Sequence, residues 1–62
     1  MKLEPGMLVR APQHPEWGMG QVQSVVGDRV TVSFVEVGRA VLDMRYAELD
    51  WVGDGSPSLD RR

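Results

Sequence analysis

Two runs of alternating side chains flank the dipeptide Gly27-Asp28, and no other feature of this chain narrows its fold so far. After the dipeptide, Arg29-Val30-Thr31-Val32-Ser33-Phe34 places Val30, Val32 and Phe34 on one face and Arg29, Thr31 and Ser33 on the other. A period of two with one apolar face is the signature of a half-buried antiparallel strand. Before it, Met19 to Val26 puts Gly20, Val22, Ser24 and Val26 on one face and Gln21, Gln23 and Val25 on the other. That alternation falters at Ser24-Val25, where a register change or bend is expected. A Gly-first dipeptide between β-branched runs predicts a two-residue hairpin with positive φ at its first central residue.

The remaining segments follow the same logic. Met7-Leu8-Val9-Arg10-Ala11 reads as a first strand, stopped by Pro12, which has no N–H for a sheet ladder. Gln13 to Gly18, with Pro15, reads as loop. Val35-Glu36-Val37-Gly38 reads as the next turn and Arg39 to Asp43 as a fourth strand. Met44 to Leu49 shows no alternation and is too short for a helix of its own, so a single 3₁₀ turn is expected. Asp50-Trp51-Val52 closes the set as a fifth strand. Residues 53–62, with two Gly, two Ser and Pro57, are read as a disordered tail. The expectation is an all-β domain over residues 1–52: a small five-stranded SH3-like barrel with one 3₁₀ turn before the last strand. Its expected core is Leu8 or Val9 with Val22, Val26, Val30, Val32, Phe34, Val41, Leu49 and Val52.

Composition bounds what such a barrel can do. Sixty-two residues allow one domain and a marginal core. With no Cys and a single His, neither a disulfide nor a metal site of ordinary ligand count is expected, and no cofactor is implied. No apolar run approaches the roughly 20 residues that span a bilayer, and no signal-peptide core follows Lys2, so a cytoplasmic protein is expected. The formal net charge of -2 disfavours bulk attraction to nucleic acid.

The order Gly6-Met7-Leu8-Val9-Arg10, then His14-Pro15-Glu16-Trp17-Gly18-Met19-Gly20-Gln21-Val22, resembles the opening of the Tudor-like domain at the C-terminus of UvrD/PcrA-type DNA helicases. The similarity continues through Gly27-Asp28-Arg29-Val30-Thr31-Val32-Ser33-Phe34 and ends at Tyr46-Ala47-Glu48-Leu49. Stand-alone small bacterial proteins of an uncharacterised family resemble it too, and this chain looks most like those. It departs from the helicase pattern by the extra Ala11-Pro12-Gln13 and by Ala40 where a basic or bulky residue is common. The resemblance implies a Tudor/SH3-like barrel that docks onto a protein, which for the helicases is RNA polymerase, and hence a place in transcription or DNA repair.

The candidate partner-binding residues are Arg10, His14, Trp17, Arg29, Arg39, Arg45 and Tyr46. His14 is read as a contact residue or as a loop histidine bonded to backbone carbonyls, and Trp17 as a hot spot or as a partly buried cap on one end of the barrel. Arg29, Arg39 and Arg45 on neighbouring strands form one patch or a solvated, ion-paired face. Tyr46 packs its ring on the barrel and turns its hydroxyl outward. Trp17, Tyr46 and Trp51 supply an aromatic cage only if they converge. Gly18 and Gly20 are structural. With no readable nucleophile–base pair, no enzyme is expected. Three functions remain: a monomeric, non-enzymatic protein-interaction module; a single-stranded nucleic-acid-binding barrel; and a domain that self-associates through a free strand edge.

Overall fold

The computed structural model describes residues 2–54. The described residues are all-β, with five strands, β1 (Met7–Arg10), β2 (Met19–Val26), β3 (Arg29–Phe34), β4 (Gly38–Asp43) and β5 (Asp50–Asp54). They form one antiparallel sheet in the order β4-β3-β2-β1-β5, so β1 sits between β2 and the C-terminal strand. This small barrel-like arrangement fits the expected SH3-like class. Among the described residues no helix is long and apolar enough to cross a membrane. The tail assigned to residues 53–62 lies, from residue 55 on, outside the described residues; Gly53 and Asp54 belong to β5, which runs past the expected end at Val52.

The hairpin at the centre of the sheet has the predicted form. Val26 stands opposite Arg29, and Gly27 adopts φ 58, while among the described residues no non-glycine has positive φ. Positive φ at the first central residue alone is the II′ pattern, whose twist suits the flanking strands. The β3–β4 connection, Val35 to Val37, closes at Gly38 with φ 80.

The core is Val9, Ala11, Val22, Val30, Val32, Phe34 and Leu49. Three expected members are outside it: Val26, Val41 and Val52 are exposed. Each error has a register cause. In β2, Val22 pairs with Val32 but Ser24 pairs with Thr31, leaving Gln23 without a partner. That bulge inverts the parity of the strand, so Val25 turns inward against Val30 and Val26 turns out. The faltering alternation at Ser24-Val25 was its trace. In β4, the register set by Phe34 opposite Gly38 places Ala40 against Val32 and Leu42 against Val30. Ala40 and Leu42 therefore face the core, and Val41 is 62% exposed. In β5, Val52 is the extra residue at an irregularity between Trp51, opposite Val9, and Gly53, opposite Leu8. Of the alternatives Leu8 and Val9, Val9 is the buried one.

The 3₁₀ helix lies at Pro15–Trp17, in the stretch read as plain loop. Pro15 occupies its first turn, where a missing N–H costs nothing. Trp17 and Gly18 donate to the carbonyls of His14 and Pro15, and Gly18 ends the turn at φ 75. Before β5, where the 3₁₀ turn is expected, the chain makes an ordinary turn, with Tyr46 N–H donating to the Asp43 carbonyl at 3.0 Å. Ala47 N–H reaches the same carbonyl at 2.8 Å, and Met44 to Tyr46 form a turn that leads to buried Leu49.

Candidate functional site

The two ends of the barrel are built differently. At one end the His14–Val22 stretch closes the core. Trp17, half-buried, lies at 5.1 Å centroid distance and 59° from the buried Phe34 ring, a tilted pair. On its outer side the His14 imidazole stacks at 4.0 Å and 5°. His14 Nδ1 lies 3.3 Å from Glu16 Oε2, so its partner is a carboxylate rather than a backbone carbonyl. The Glu16 backbone amide, with help from His14, holds the Glu16 carboxyl below the usual carboxylate range. The stretch is tied to the β3–β4 turn by two backbone bonds, Val35 N–H to Met19 O at 2.9 Å and Glu36 N–H to Trp17 O at 3.2 Å.

Gly20 explains how the aromatic layer fits. A Cβ there would lie 2.5 Å from Val32 Cγ1 and 2.7 Å from Phe34 Cδ1. The absent side chain is the space the Phe34 ring occupies, so Gly20 is structural by close approach. Gly18 is structural by its left-handed backbone.

The opposite end is open. Leu3, Val25, Val30 and Met44, with Gly27 and Lys2, line a concavity of about 460 Å³. Its apolar walls continue the core, since Leu3, Val25 and Met44 pack on it and Val30 belongs to it. Met44 is fixed there by its N–H, which donates to the Asp28 carbonyl at 2.8 Å. Directly after Met44, Arg45 grips Asp43: its backbone N–H and Nε donate to Oδ1 at 3.0 and 3.1 Å, and Nη2 donates to Oδ2 at 2.8 Å. These bonds, chiefly the guanidinium ones, hold the Asp43 carboxyl below the usual aspartate range, with a smaller contribution from Arg29, and push Arg45 up. The Arg45 guanidinium also sits 5.4 Å from the Tyr46 ring centroid, a cation–π distance.

The candidate residues therefore do not form one site. His14 and Trp17 belong to the closed end; Arg29, Arg45 and Tyr46 belong to the open end. Arg39 stands opposite Ser33 while Arg29 stands opposite Asp43, four positions apart along β4, about 13 Å at strand rise. The single patch of Arg29, Arg39 and Arg45 is thus not formed. Arg10 lies on β1, opposite Met19 on one side and Asp50 on the other, separated from β4 by two strands. Tyr46, expected to pack its ring on the barrel, is instead 78% exposed, with its ring beside the Arg45 guanidinium. The aromatic ring pairs among the described residues are His14–Trp17 and Trp17–Phe34, so Trp17, Tyr46 and Trp51 build no cage. The sequence reading missed Leu3, Val25 and Met44 as a group; the bulge in β2 conceals Val25, and Leu3 and Met44 lie outside any alternating run.

A family model described as "Protein of unknown function (DUF3553)" matches residues 3–52, which is nearly the whole of the described barrel. The chain belongs to the DUF3553 family. No curated protein and no solved structure matches it. The DUF3553 match begins at Leu3 and ends at Val52, so it takes in the Trp17 end and every residue lining the concavity except Lys2.

Proposed function

We propose that this DUF3553 chain is a non-catalytic protein-interaction module that receives a segment of a larger protein at the open end of its barrel. The observation that carries the reading is the concavity lined by Leu3, Val25, Val30 and Met44, with Lys2 on its wall and Arg45 next to it in the chain. Its chemistry suits a polypeptide segment that offers an apolar side chain flanked by acidic ones. Water leaves apolar walls on binding, and the neighbouring cations set orientation rather than affinity. The resemblance to the helicase Tudor-like domain names RNA polymerase as the partner, in a transcription or repair assembly, which would place the chain in the cytoplasm.

The test is amide-shift mapping of the labelled protein against purified polymerase core enzyme. Shifts or broadening centred on Leu3, Val25, Val30 and Met44 are expected. Silence would remove the polymerase, and perturbation confined to the His14–Trp17 end would remove the open end as the docking surface. A titration with single-stranded oligonucleotide separates the other reading, because nucleic-acid binding would weaken steeply with salt. The separation of Arg29 and Arg45 from Arg39 and Arg10 disfavours it, since among the described residues these arginines form no continuous basic groove to track a backbone.

A further inference from the structure

Among the described residues the sheet has two unpaired edges, β4 and β5, and they are not equally protected. β5 is blunted: its pairing with β1 is interrupted at Val52, and it contains Gly53. Irregularities of this kind are how proteins keep an edge from recruiting another strand. β4 has no such interruption, and its one glycine, Gly38, lies at its first position. It pairs with β3 through six consecutive residues without a register shift, contains no proline, and presents Val41 62% exposed at its middle.

The sequence of β4 is self-complementary. Arg39-Ala40-Val41-Leu42-Asp43 has a cation and an anion at equal distances from Val41. Two identical strands paired antiparallel around a two-fold axis must keep outward residues opposite outward residues. With the axis at Val41, Arg39 meets Asp43 of the second copy twice over, Val41 meets Val41, and Ala40 meets Leu42 on the core-facing side. The neighbouring registers that also keep the faces aligned are worse. An axis at Ala40 sets Arg39 against Val41, and an axis at Leu42 sets Arg39 against Arg45. Only one register matches charge to charge.

We infer that a second copy of this chain pairs with it edge to edge through β4, antiparallel about Val41, joining two five-stranded sheets into one. Arg39 is exposed and has no ion partner among the described residues. Asp43 accepts three hydrogen bonds from Arg45, and a carboxylate offers about four acceptor positions, so it retains capacity for Arg39 of the second copy. A single strand pair buries less than the roughly 1,200 Å² of a stable interface, so the dimer is weak and concentration-dependent. It departs from the monomer expected from the sequence. It is independent of the docking proposal, because the β4 edge and the concavity involve different residues.

Sedimentation velocity over a concentration series tests it, with thermal melts confirming that each variant folds. Val41→Lys sets two ammonium groups on the axis at an exposed position and abolishes association. Arg39→Asp and Asp43→Arg each oppose like charges in a homodimer, and each weakens association about tenfold or more. Mixing these two variants restores both opposite-charge pairs, so the mixture dimerises with an affinity near that of the unaltered chain. A chain that stays monomeric at millimolar concentration overturns the inference. So does a dimer that survives Val41→Lys, which would place the contact elsewhere. If the unaltered chain dimerises but the mixed variants do not, the Arg39–Asp43 register is wrong.

Discussion

The two ends of this barrel use the same kind of side chain to opposite effect. At the Trp17 end, Phe34, Trp17 and His14 stack outward in sequence from the core, and Gly20 makes room for them. At the Met44 end, Leu3, Val25, Val30 and Met44 stop short of filling the mouth. One end spends its large rings on closing the fold; the other leaves apolar surface in reach of a partner. In a domain of 62 residues with no disulfide, stability cannot be spread evenly, and the closed end is what permits the open one.

The largest test of that contrast is a pair of truncations. Phe34→Ala removes a fully buried ring from beneath Trp17 and costs about 3–5 kcal/mol, which leaves a domain this small largely unfolded. Met44→Ala removes a half-buried side chain that faces the concavity and costs about 1 kcal/mol, below the range for buried Met. Chemical denaturation followed by Trp17 and Trp51 fluorescence checks both. Equal losses would mean that the Met44 end carries as much of the core as the Trp17 end, and the contrast would fail.

Gly20→Ala comes next. Its methyl would overlap Val32 and the Phe34 ring, and overpacking of this kind costs about 1–3 kcal/mol. Gly27→Ala, at the open end, has nothing within 4 Å of the new Cβ and meets only the left-handed backbone, at about 1–2 kcal/mol. A Gly27→Ala loss that matched or exceeded that of Gly20→Ala would show that turn strain, not ring packing, dominates. His14→Ala is smaller still. It removes an exposed ring stacked on Trp17, for under about 1 kcal/mol, and shifts Trp17 emission toward that of a hydrated indole. Unchanged emission would mean that His14 does not cover Trp17.

Most of the fold is legible in the sequence because β3 alternates without interruption and Gly27-Asp28 fixes its neighbour's register. The closing role of Trp17 is legible too, from a large ring set between a proline-rich loop and two glycines. What escapes is parity. A one-residue bulge at Gln23 costs little locally, yet it exchanges Val26 for Val25 as the inward residue. In β4 three apolar residues run together, and only the pairing of Gly38 with Phe34 decides that Ala40 and Leu42, not Val41, turn inward. The arginine patch fails for the same reason. Nearness along an antiparallel hairpin depends on register, which sets Arg29 beside Asp43 and sends Arg39 to the far end of β4. The concavity draws on Leu3, Val25 and Met44 from three separate segments, and no local pattern announces that they meet.

The smallest expected effect is electrostatic, and it too distinguishes the ends. Asp43 and Glu16 each have a carboxyl held below its ordinary range, so each ionised form favours the folded state. A group depressed in this way contributes stability above its unfolded pKa and loses it as pH falls through its folded value. The melting temperature should therefore drop between about pH 5 and about pH 2, where these carboxyls protonate. Asp43 is held by three hydrogen bonds from Arg45, whereas the side-chain partner of Glu16 is His14 alone, at 3.3 Å. Asp43→Asn should consequently flatten the acid limb more than Glu16→Gln, in melts run at low protein concentration so that strand-edge pairing does not contribute. Both pairs are solvent-exposed, so the differences are small at neutral pH and shrink with added salt. An acid limb flattened more by Glu16→Gln would place the stronger charge clamp at the closed end and overturn this contrast between the two ends.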